Sequence, residues 1–79
     1  MQTESEIITK VLKGDAAAQR QLYQILAPSL FATCLRYTKS KFEAEDFLQE
    51  AFIKIFSNLN SFRGDGPILA WSRRITVNI

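Results

Sequence analysis

An aromatic and a cationic side chain stand side by side in a segment without regular hydrophobic spacing. Phe62 and Arg63 lie within residues 58–67, where two glycines, an aspartate and a proline predict a loop. An aromatic ring and a guanidinium in a loop can stack on and clamp an unstacked nucleic-acid base. The residues alone leave a second possibility open, in which Phe62 folds back onto the core and Arg63 pairs with Asp65.

Few side chains are suited to catalysis or metal binding. The chain has no histidine, which is the commonest general base and metal ligand, and no carboxylate is paired with a nucleophile or a phosphate-binding loop. Its one cysteine, Cys34, cannot form an internal disulfide, and we interpret it as a core residue. We therefore expect a protein that is not an enzyme and that uses no metal or cofactor.

The charges are divided between two consecutive segments. Residues 41–50 hold four acidic side chains against one lysine, a net charge of −3. Residues 54–79 hold four basic side chains against one aspartate, a net charge of +3. This division indicates two different partner surfaces, although small proteins often show such fluctuations by chance.

Length and composition indicate one folded domain over residues 1–79. Hydrophobic residues make up 47% of the chain and charged residues 23%. No apolar run approaches the roughly 20 residues that span a bilayer. The first six residues are polar and acidic, unlike a secretory signal. We expect a cytoplasmic domain that does not insert into a membrane.

Hydrophobic spacing predicts helices along the whole chain. A capping-box pattern, Thr3 with Glu6, begins the first helix, and Gly14 ends it. Asp15 caps a second helix, and because the apolar spacing resumes after Pro28 we predict one long, kinked helix. The residues predicted to point inward in its first half are Leu22, Ile25 and Leu26.

The third predicted helix spans residues 41–59, is capped by Ser40 and has two apolar faces of different kinds. The core face consists of Ala44, Phe47, Leu48, Ala51, Phe52, Ile55 and Leu59. On the opposite face Ile53 and Phe56 stand among the polar side chains of Glu45, Asp46, Gln49 and Glu50. Such a mixture is typical of a surface that docks a partner helix carrying arginines along an apolar stripe. In the alternative, the fourth helix or the N-terminal segment covers Ile53 and Phe56.

A fourth helix is predicted from Pro67, with Asp65 or Gly66 near its cap. The residues at helical spacing on its inward face are Ile68, Leu69, Trp71, Ile75 and Ile79. No stop signal precedes Ile79, so we expect the chain to be a piece of a longer protein.

The polar residues of this helix lie mostly off that face. Arg73, Arg74 and Asn78 could contact phosphates and base edges. Trp71 is interpreted first as a core or interface aromatic and second as a platform for a base.

Eight short motifs follow one another along the chain. They are Leu12–Asp15, Ala27–Pro28, Ala44–Asp46, Gln49–Lys54, Leu59–Asp65, Ala70–Trp71, Arg74–Ile75 and Val77–Asn78. Their order and spacing resemble conserved region 2 of the extracytoplasmic-function sigma factors, over nearly the whole chain. The resemblance implies an all-α fold, a small bundle of three to four helices. It also implies a transcription initiation domain that docks on core RNA polymerase and recognises and melts the minus-ten promoter element.

The resemblance implies a role for each segment. The third helix would dock on the clamp helices of the largest polymerase subunit. Asp46, Gln49 and Glu50 fall at the contact positions of the family, and Ile53 and Phe56 extend the same surface. The loop would capture a flipped base of the non-template strand, and the fourth helix would face the promoter where the strands open. The residues predicted to bind DNA are Asn60, Ser61, Phe62, Arg63, Gly64, Trp71, Arg73, Arg74 and Asn78, of which Arg73 is included for its charge and not for the resemblance.

The fourth helix departs from the family pattern. Where the family usually has Trp-Leu-Tyr-Arg-Ile, this chain has Trp-Ser-Arg-Arg-Ile. Ser72 replaces an apolar residue and is expected to weaken local packing, and Arg73 replaces an aromatic one and adds charge. Pro67 and Ile68 differ from the commoner pair of a small and an aromatic residue.

Other partners are expected from the same resemblance. The domain that reads the upstream promoter element and usually completes these proteins is expected to be missing from the 79 residues, and an anti-sigma factor is an expected partner. The alternative function is a helical interaction module without DNA function, which binds a partner helix or self-associates through Ile53 and Phe56.

Overall fold

Four α-helices and one short 3₁₀ turn make up the computed structural model, which describes residues 2–79. The elements are α1 (Glu4–Leu12), α2 (Ala16–Arg36), α3 (Lys41–Ser57), the 3₁₀ turn (Leu59–Ser61) and α4 (Ile68–Val77). Within the described residues there is no strand, which confirms the predicted all-α fold. None of the helices described is long and apolar enough to cross a membrane.

The first helix begins and ends, and the second begins, where their local sequence predicts. The Thr3 hydroxyl accepts a hydrogen bond from the Glu6 backbone N–H at 3.1 Å, and the Glu6 carboxylate accepts one from the Thr3 N–H at 3.4 Å. Gly14 has a φ of 90°, a left-handed conformation that glycine adopts without strain. The Asp15 carboxylate then accepts from two N–H groups of the first turn of α2, at 2.9 and 3.1 Å.

Helix α2 is the centre of the bundle and contacts each of the other three helices. It runs through Pro28 as one helix, as predicted, while the kink expected there stays a prediction. Its buried apolar residues recur every four positions, at Ala18, Leu22, Leu26, Leu30 and Cys34. The prediction that Ile25 points inward is wrong, because this side chain is 54% exposed. One residue is about 100° of rotation on a helix, which places Ile25 beside the buried stripe.

Helix α3 ends two residues before the predicted Leu59. Ser40 caps it as predicted, with its hydroxyl accepting from the Glu43 N–H at 3.1 Å. Beyond Ser57 the chain enters the 3₁₀ turn, in which Leu59 is buried. The predicted irregular segment therefore contains a short regular turn, since its glycines and its proline all follow Ser61. The rest of the predicted core face of α3 is buried, except that Phe47 is half-buried.

Helix α4 buries a different face from the predicted one. Its buried residues are Ile68, Ser72 and Thr76, whereas Ile79 is exposed. The remaining residues of the predicted face, Leu69, Trp71 and Ile75, are half-buried. Two of the three buried side chains are small, and small side chains let helix backbones approach closely. Helix α4 contacts both α2 and α3.

The hydroxyl of Ser72 has no hydrogen-bond partner in this interface. The residue is completely buried, and its Oγ atom is the one buried side-chain polar atom left without a partner among the described residues. The neighbouring Thr76 hydroxyl donates to the Ser72 carbonyl at 2.9 Å, which satisfies Thr76 but not the Ser72 hydroxyl. The residue that was expected to weaken local packing is therefore buried, and its hydroxyl lacks a hydrogen-bond partner.

Ser72→Ala is therefore expected to raise the free energy of unfolding by about 1 kcal/mol, because it removes a buried unsatisfied hydroxyl and improves helix propensity. Urea unfolding followed by circular dichroism measures the change. Ser57→Ala serves as the control, because Ser57 is exposed at the end of α3 and its replacement should have little effect. A Ser72→Ala protein that is less stable than the wild type would contradict the prediction.

Candidate functional site

The loop after α3 and the first turns of α4 enclose a cavity of about 400 Å³. Five of the nine residues predicted to bind DNA lie in its wall: Ser61, Phe62, Arg63, Trp71 and Arg74. The other lining residues are Asp65, Gly66, Pro67 and Ala70. The structure thus brings the loop and α4 together into one concave site, although they are separate segments in the sequence.

An aromatic pair forms one wall of this cavity. The rings of Phe62 and Trp71 lie 5.3 Å apart between centroids, at an angle of 53°. Both residues are half-buried and pack against the hydrophobic core. Folding of Phe62 back towards the core, one of the two possibilities read from the sequence, is therefore observed, but Phe62 still reaches the cavity. The pair can present a rigid apolar surface to a flat ligand.

Two arginines give the cavity a positive character. Arg63 comes from the loop and Arg74 from α4, and both side chains are exposed. The only acidic residue in the cavity wall is Asp65. A positive, partly aromatic concavity is suited to an anionic ligand with a planar group, such as a nucleotide.

Four of the predicted DNA-binding residues lie outside the cavity wall. Asn60, Arg73 and Asn78 are exposed elsewhere on the surface. Gly64 has a φ of 77°, so its observed role is to let the loop turn between Arg63 and Asp65. Contacts of these four residues with DNA stay predictions.

The start of α4 is held by a residue that sequence analysis missed. The Glu4 carboxylate accepts a hydrogen bond from the Ile68 backbone N–H at 3.0 Å, across 64 positions of sequence. Pro67 occupies the cap position and provides no side-chain hydrogen bond. The helix was predicted to start at Pro67 with Asp65 or Gly66 near its cap, whereas Pro67 is itself the cap residue and the helix starts at Ile68. An acidic residue near the N-terminus predicts only a cap for its own helix, so the local sequence contains no signal for this contact.

Glu4→Ala is expected to lower the free energy of unfolding by about 1 kcal/mol, since it leaves the first N–H of α4 without its acceptor. Glu4→Gln keeps a carbonyl oxygen in place and should lose less. Thermal unfolding compares both with Glu45→Ala, which removes an exposed glutamate from α3. Equal stability of Glu4→Ala and Glu45→Ala would show that the contact contributes nothing.

The face of α3 opposite the core is exposed to solvent, as predicted. Asp46, Gln49 and Glu50 are exposed, and Ile53 is 69% exposed. Neither α4 nor the N-terminal segment covers Ile53, so that alternative is wrong for this residue. An isoleucine so exposed among acidic groups is typical of a protein-binding surface.

Phe56 does not stand free on this face as predicted. It is half-buried, its ring lies 5.8 Å from that of Phe52, and it borders a groove of about 320 Å³ against α2. The groove is lined by Ala16, Gln19, Arg20, Tyr23 and Phe56. The prediction overlooked α2 as the element that packs against Phe56. Its proposed contact with a partner stays a prediction.

Helix α2 also fixes the orientation of Gln49. The Gln49 side-chain amide donates to the Tyr23 hydroxyl at 3.3 Å. The Tyr23 ring is itself held against Phe52, with 4.3 Å between the ring centroids. The exposed face of α3 is therefore partly ordered before any partner binds.

The remaining candidate for chemistry, Cys34, is a core residue. It is completely buried, and burial raises the pKa of its thiol above the ordinary value. A thiol with a raised pKa is a poor nucleophile at neutral pH. Among the described residues, no group of three or more cysteine or acidic side chains could hold a metal ion.

Comparison with known proteins identifies the family. Residues 22–79 match the family model for Sigma-70 region 2. The chain is 40% identical to the ECF RNA polymerase sigma-E factor of Escherichia coli, over 96% of this chain and 39% of that protein. It is 35% identical to the ECF RNA polymerase sigma factor SigW of Bacillus subtilis, over 91% of this chain and 38% of that protein. It is 32% identical to the RNA polymerase sigma-H factor of Pseudomonas aeruginosa, over 95% of this chain.

The chain spans about two fifths of the length of these curated relatives. The match to the family model covers all of α3 and α4 and all but the first six residues of α2. It therefore includes the exposed face of α3 and the cavity between the loop and α4. From this match and from the all-helical fold, the chain belongs to the Sigma-70 region 2 family, and its relatives are extracytoplasmic-function sigma factors.

Proposed function

We propose that this domain docks on core RNA polymerase and recognises and melts the minus-ten promoter element. Membership of a sigma factor family supports this function, and such factors are not enzymes, in agreement with the prediction from the sequence. The observation that carries the DNA-binding part is the cavity, which gathers two arginines and an aromatic pair from two separate segments.

The proposed mechanism is a shift in equilibrium. Extruding a base from duplex DNA costs a few kcal/mol of stacking and pairing. The cavity offsets this cost if a base stacks on the Phe62 and Trp71 surface while Arg63 and Arg74 contact the adjoining phosphates. Because the open strand then binds better than the duplex, binding favours strand separation without any bond being made or broken.

The proposed division of partners follows the charges. The exposed face of α3 carries Asp46 and Glu50, which would repel DNA and attract a basic protein helix. The cavity carries the arginines on a different part of the fold. We assign the exposed face of α3 to binding of the polymerase clamp helices and the cavity to binding of the non-template strand. Both partners would be met in the cytoplasm.

Fluorescence anisotropy with a labelled single-stranded minus-ten oligonucleotide tests the DNA-binding function. Arg63→Ala and Arg74→Ala are each expected to weaken binding several-fold and to reduce its salt dependence by about 0.7 of a log unit per log unit of salt. Arg20→Ala is the matched control, because Arg20 lies in the separate groove beside α2. Equal affinities for all four proteins would exclude the cavity as the DNA site.

A second candidate function is supported by the exposure of Ile53. A helical module could use this surface to bind a partner helix, such as one of an anti-sigma factor, or to self-associate. Titration with core polymerase separates this function from the first. Binding of neither polymerase nor single-stranded DNA at low salt, together with self-association in sedimentation, would favour the interaction module.

A further inference from the structure

The most exposed large hydrophobic side chain of the described residues is Phe42, in the first turn of α3. It is 74% exposed, more than Ile53 at 69%. The capping interactions at this end of the helix are made by Ser40 and Glu43, and Phe42 takes no part in them or in the hydrophobic core. Leaving a phenylalanine in water forgoes the favourable burial of its ring, so its position is best explained by an external contact.

Phe42 and Ile53 lie on one line along the helix. They are eleven residues apart, which is about three turns and about 16 Å of rise. Asp46 and Gln49 lie between them, four and seven residues after Phe42, and both are exposed. These four residues form what we call the α3 stripe: Phe42, Asp46, Gln49 and Ile53.

The stripe has an apolar residue at each end and polar residues in the middle. Its acidic neighbours, Glu45 and Glu50, flank the polar centre on either side. A partner helix that matches this pattern has two apolar side chains about three turns apart, with basic side chains between them. The basic residues would face Asp46, and the apolar residues would cover Phe42 and Ile53.

A second copy of this chain does not fit the pattern. In a two-fold antiparallel pairing of stripes, Phe42 would meet Ile53, but the acidic side chains of Glu45, Asp46 and Glu50 from both copies would surround one interface. Such like-charge contacts disfavour association. The charges therefore favour a basic partner over self-association.

We infer that Phe42 is a second apolar anchor of the polymerase-docking surface, and that the docked helix carries apolar residues at both ends of a basic segment. This inference rests on the proposed function of α3. It extends the docking surface to the first turn of the helix, one turn beyond the residues implied by the family resemblance. It also reduces the importance of Phe56, which is half-buried against the core and borders the groove beside α2.

Binding of the 79-residue chain to core RNA polymerase, measured by biolayer interferometry, tests the inference. Phe42→Ala and Ile53→Ala are each expected to weaken binding about tenfold. Phe42→Leu, which keeps an apolar side chain, should recover most of the affinity. Tyr37→Ala is the matched control, because Tyr37 is also an exposed aromatic, at 62%, but precedes α3 and lies off the stripe.

Each outcome has a separate meaning. If Ile53→Ala weakens binding and Phe42→Ala does not, the stripe ends before Phe42 and the inference is overturned, while the docking function stands. If neither change matters although the wild type binds, α3 is not the docking face and that part of the proposed function fails. If the chain dimerises in sedimentation velocity and Phe42→Ala makes it monomeric, a second copy covers the stripe and the inference is wrong. Unchanged binding of single-stranded DNA by both variants would confirm that they are folded.

Discussion

Replacing Leu26 with alanine is expected to lower the free energy of unfolding by about 3 kcal/mol, whereas the same change at Ile25 should cost less than about 1 kcal/mol. The two residues are neighbours on α2, but Leu26 is 1% exposed and Ile25 is 54% exposed. Removing the buried Leu26 side chain loses its burial energy and leaves a cavity in the core. The cavity lies beside α2, which contacts the other three α-helices. Urea unfolding of the two variants, followed by circular dichroism, measures the difference.

The expected loss at Leu26 is large relative to the whole domain. A chain of 79 residues has a typical stability of about 4 to 12 kcal/mol. The Leu26→Ala change should therefore remove about a quarter to three quarters of the stability of the domain. Similar losses at both positions would mean that Ile25 is buried in solution and that α2 is rotated relative to the structure described here.

Local sequence signals predicted the starts of the first three helices and the end of the first. Thr3, Gly14, Asp15 and Ser40 all act where their residue types predict, because a cap or a helix stop depends on a few neighbouring residues. The continuation of α2 through Pro28 was predicted from the resumption of apolar spacing beyond it. These features require no knowledge of the other helices.

Tertiary contacts account for the errors. Apolar spacing placed Ile25 in the core and predicted a buried face of α4 that differs from the observed one. Spacing alone cannot show which of two adjacent apolar residues contacts another helix. Small polar residues at Ser72 and Thr76 gave no hydrophobic signal, although they form the buried face of α4. The contact between Glu4 and Ile68 joins the two ends of the chain and depends on the finished fold.

The candidate site also has features that local sequence predicted and features that depend on the tertiary fold. Ile53 was predicted to be exposed from the helical wheel alone, and it is. The family resemblance assigned both the loop and α4 to DNA, but neither it nor any spacing rule predicted that Phe62, Arg63, Trp71 and Arg74 surround one cavity. The first turn of α3 was overlooked because Phe42 lies between two of the motifs that carry the resemblance, Ala27–Pro28 and Ala44–Asp46.

Trp71→Ala is expected to weaken binding of single-stranded minus-ten DNA by about 30-fold. Stacking of a base on an aromatic side chain contributes about 1 to 3 kcal/mol, and Trp71 also supports the Phe62 ring at 5.3 Å. The change removes no charge, so the dependence of affinity on salt should stay that of the wild type, unlike that of Arg63→Ala or Arg74→Ala. Anisotropy titrations at several salt concentrations distinguish the two kinds of loss.

Trp71 is the only tryptophan of the chain, which gives a second measurement on the unmodified protein. If a base stacks on this ring, its intrinsic fluorescence should be quenched as DNA binds, in proportion to the anisotropy signal. Trp71→Phe should keep most of the affinity, because it preserves an aromatic surface, and Tyr37→Ala should bind like the wild type because Tyr37 lies outside the cavity. Since Trp71 is half-buried, each variant must first show wild-type unfolding at the assay temperature. A folded Trp71→Ala protein with wild-type affinity at every salt concentration would show that the arginines bind DNA without base stacking, and that the aromatic pair serves only the fold.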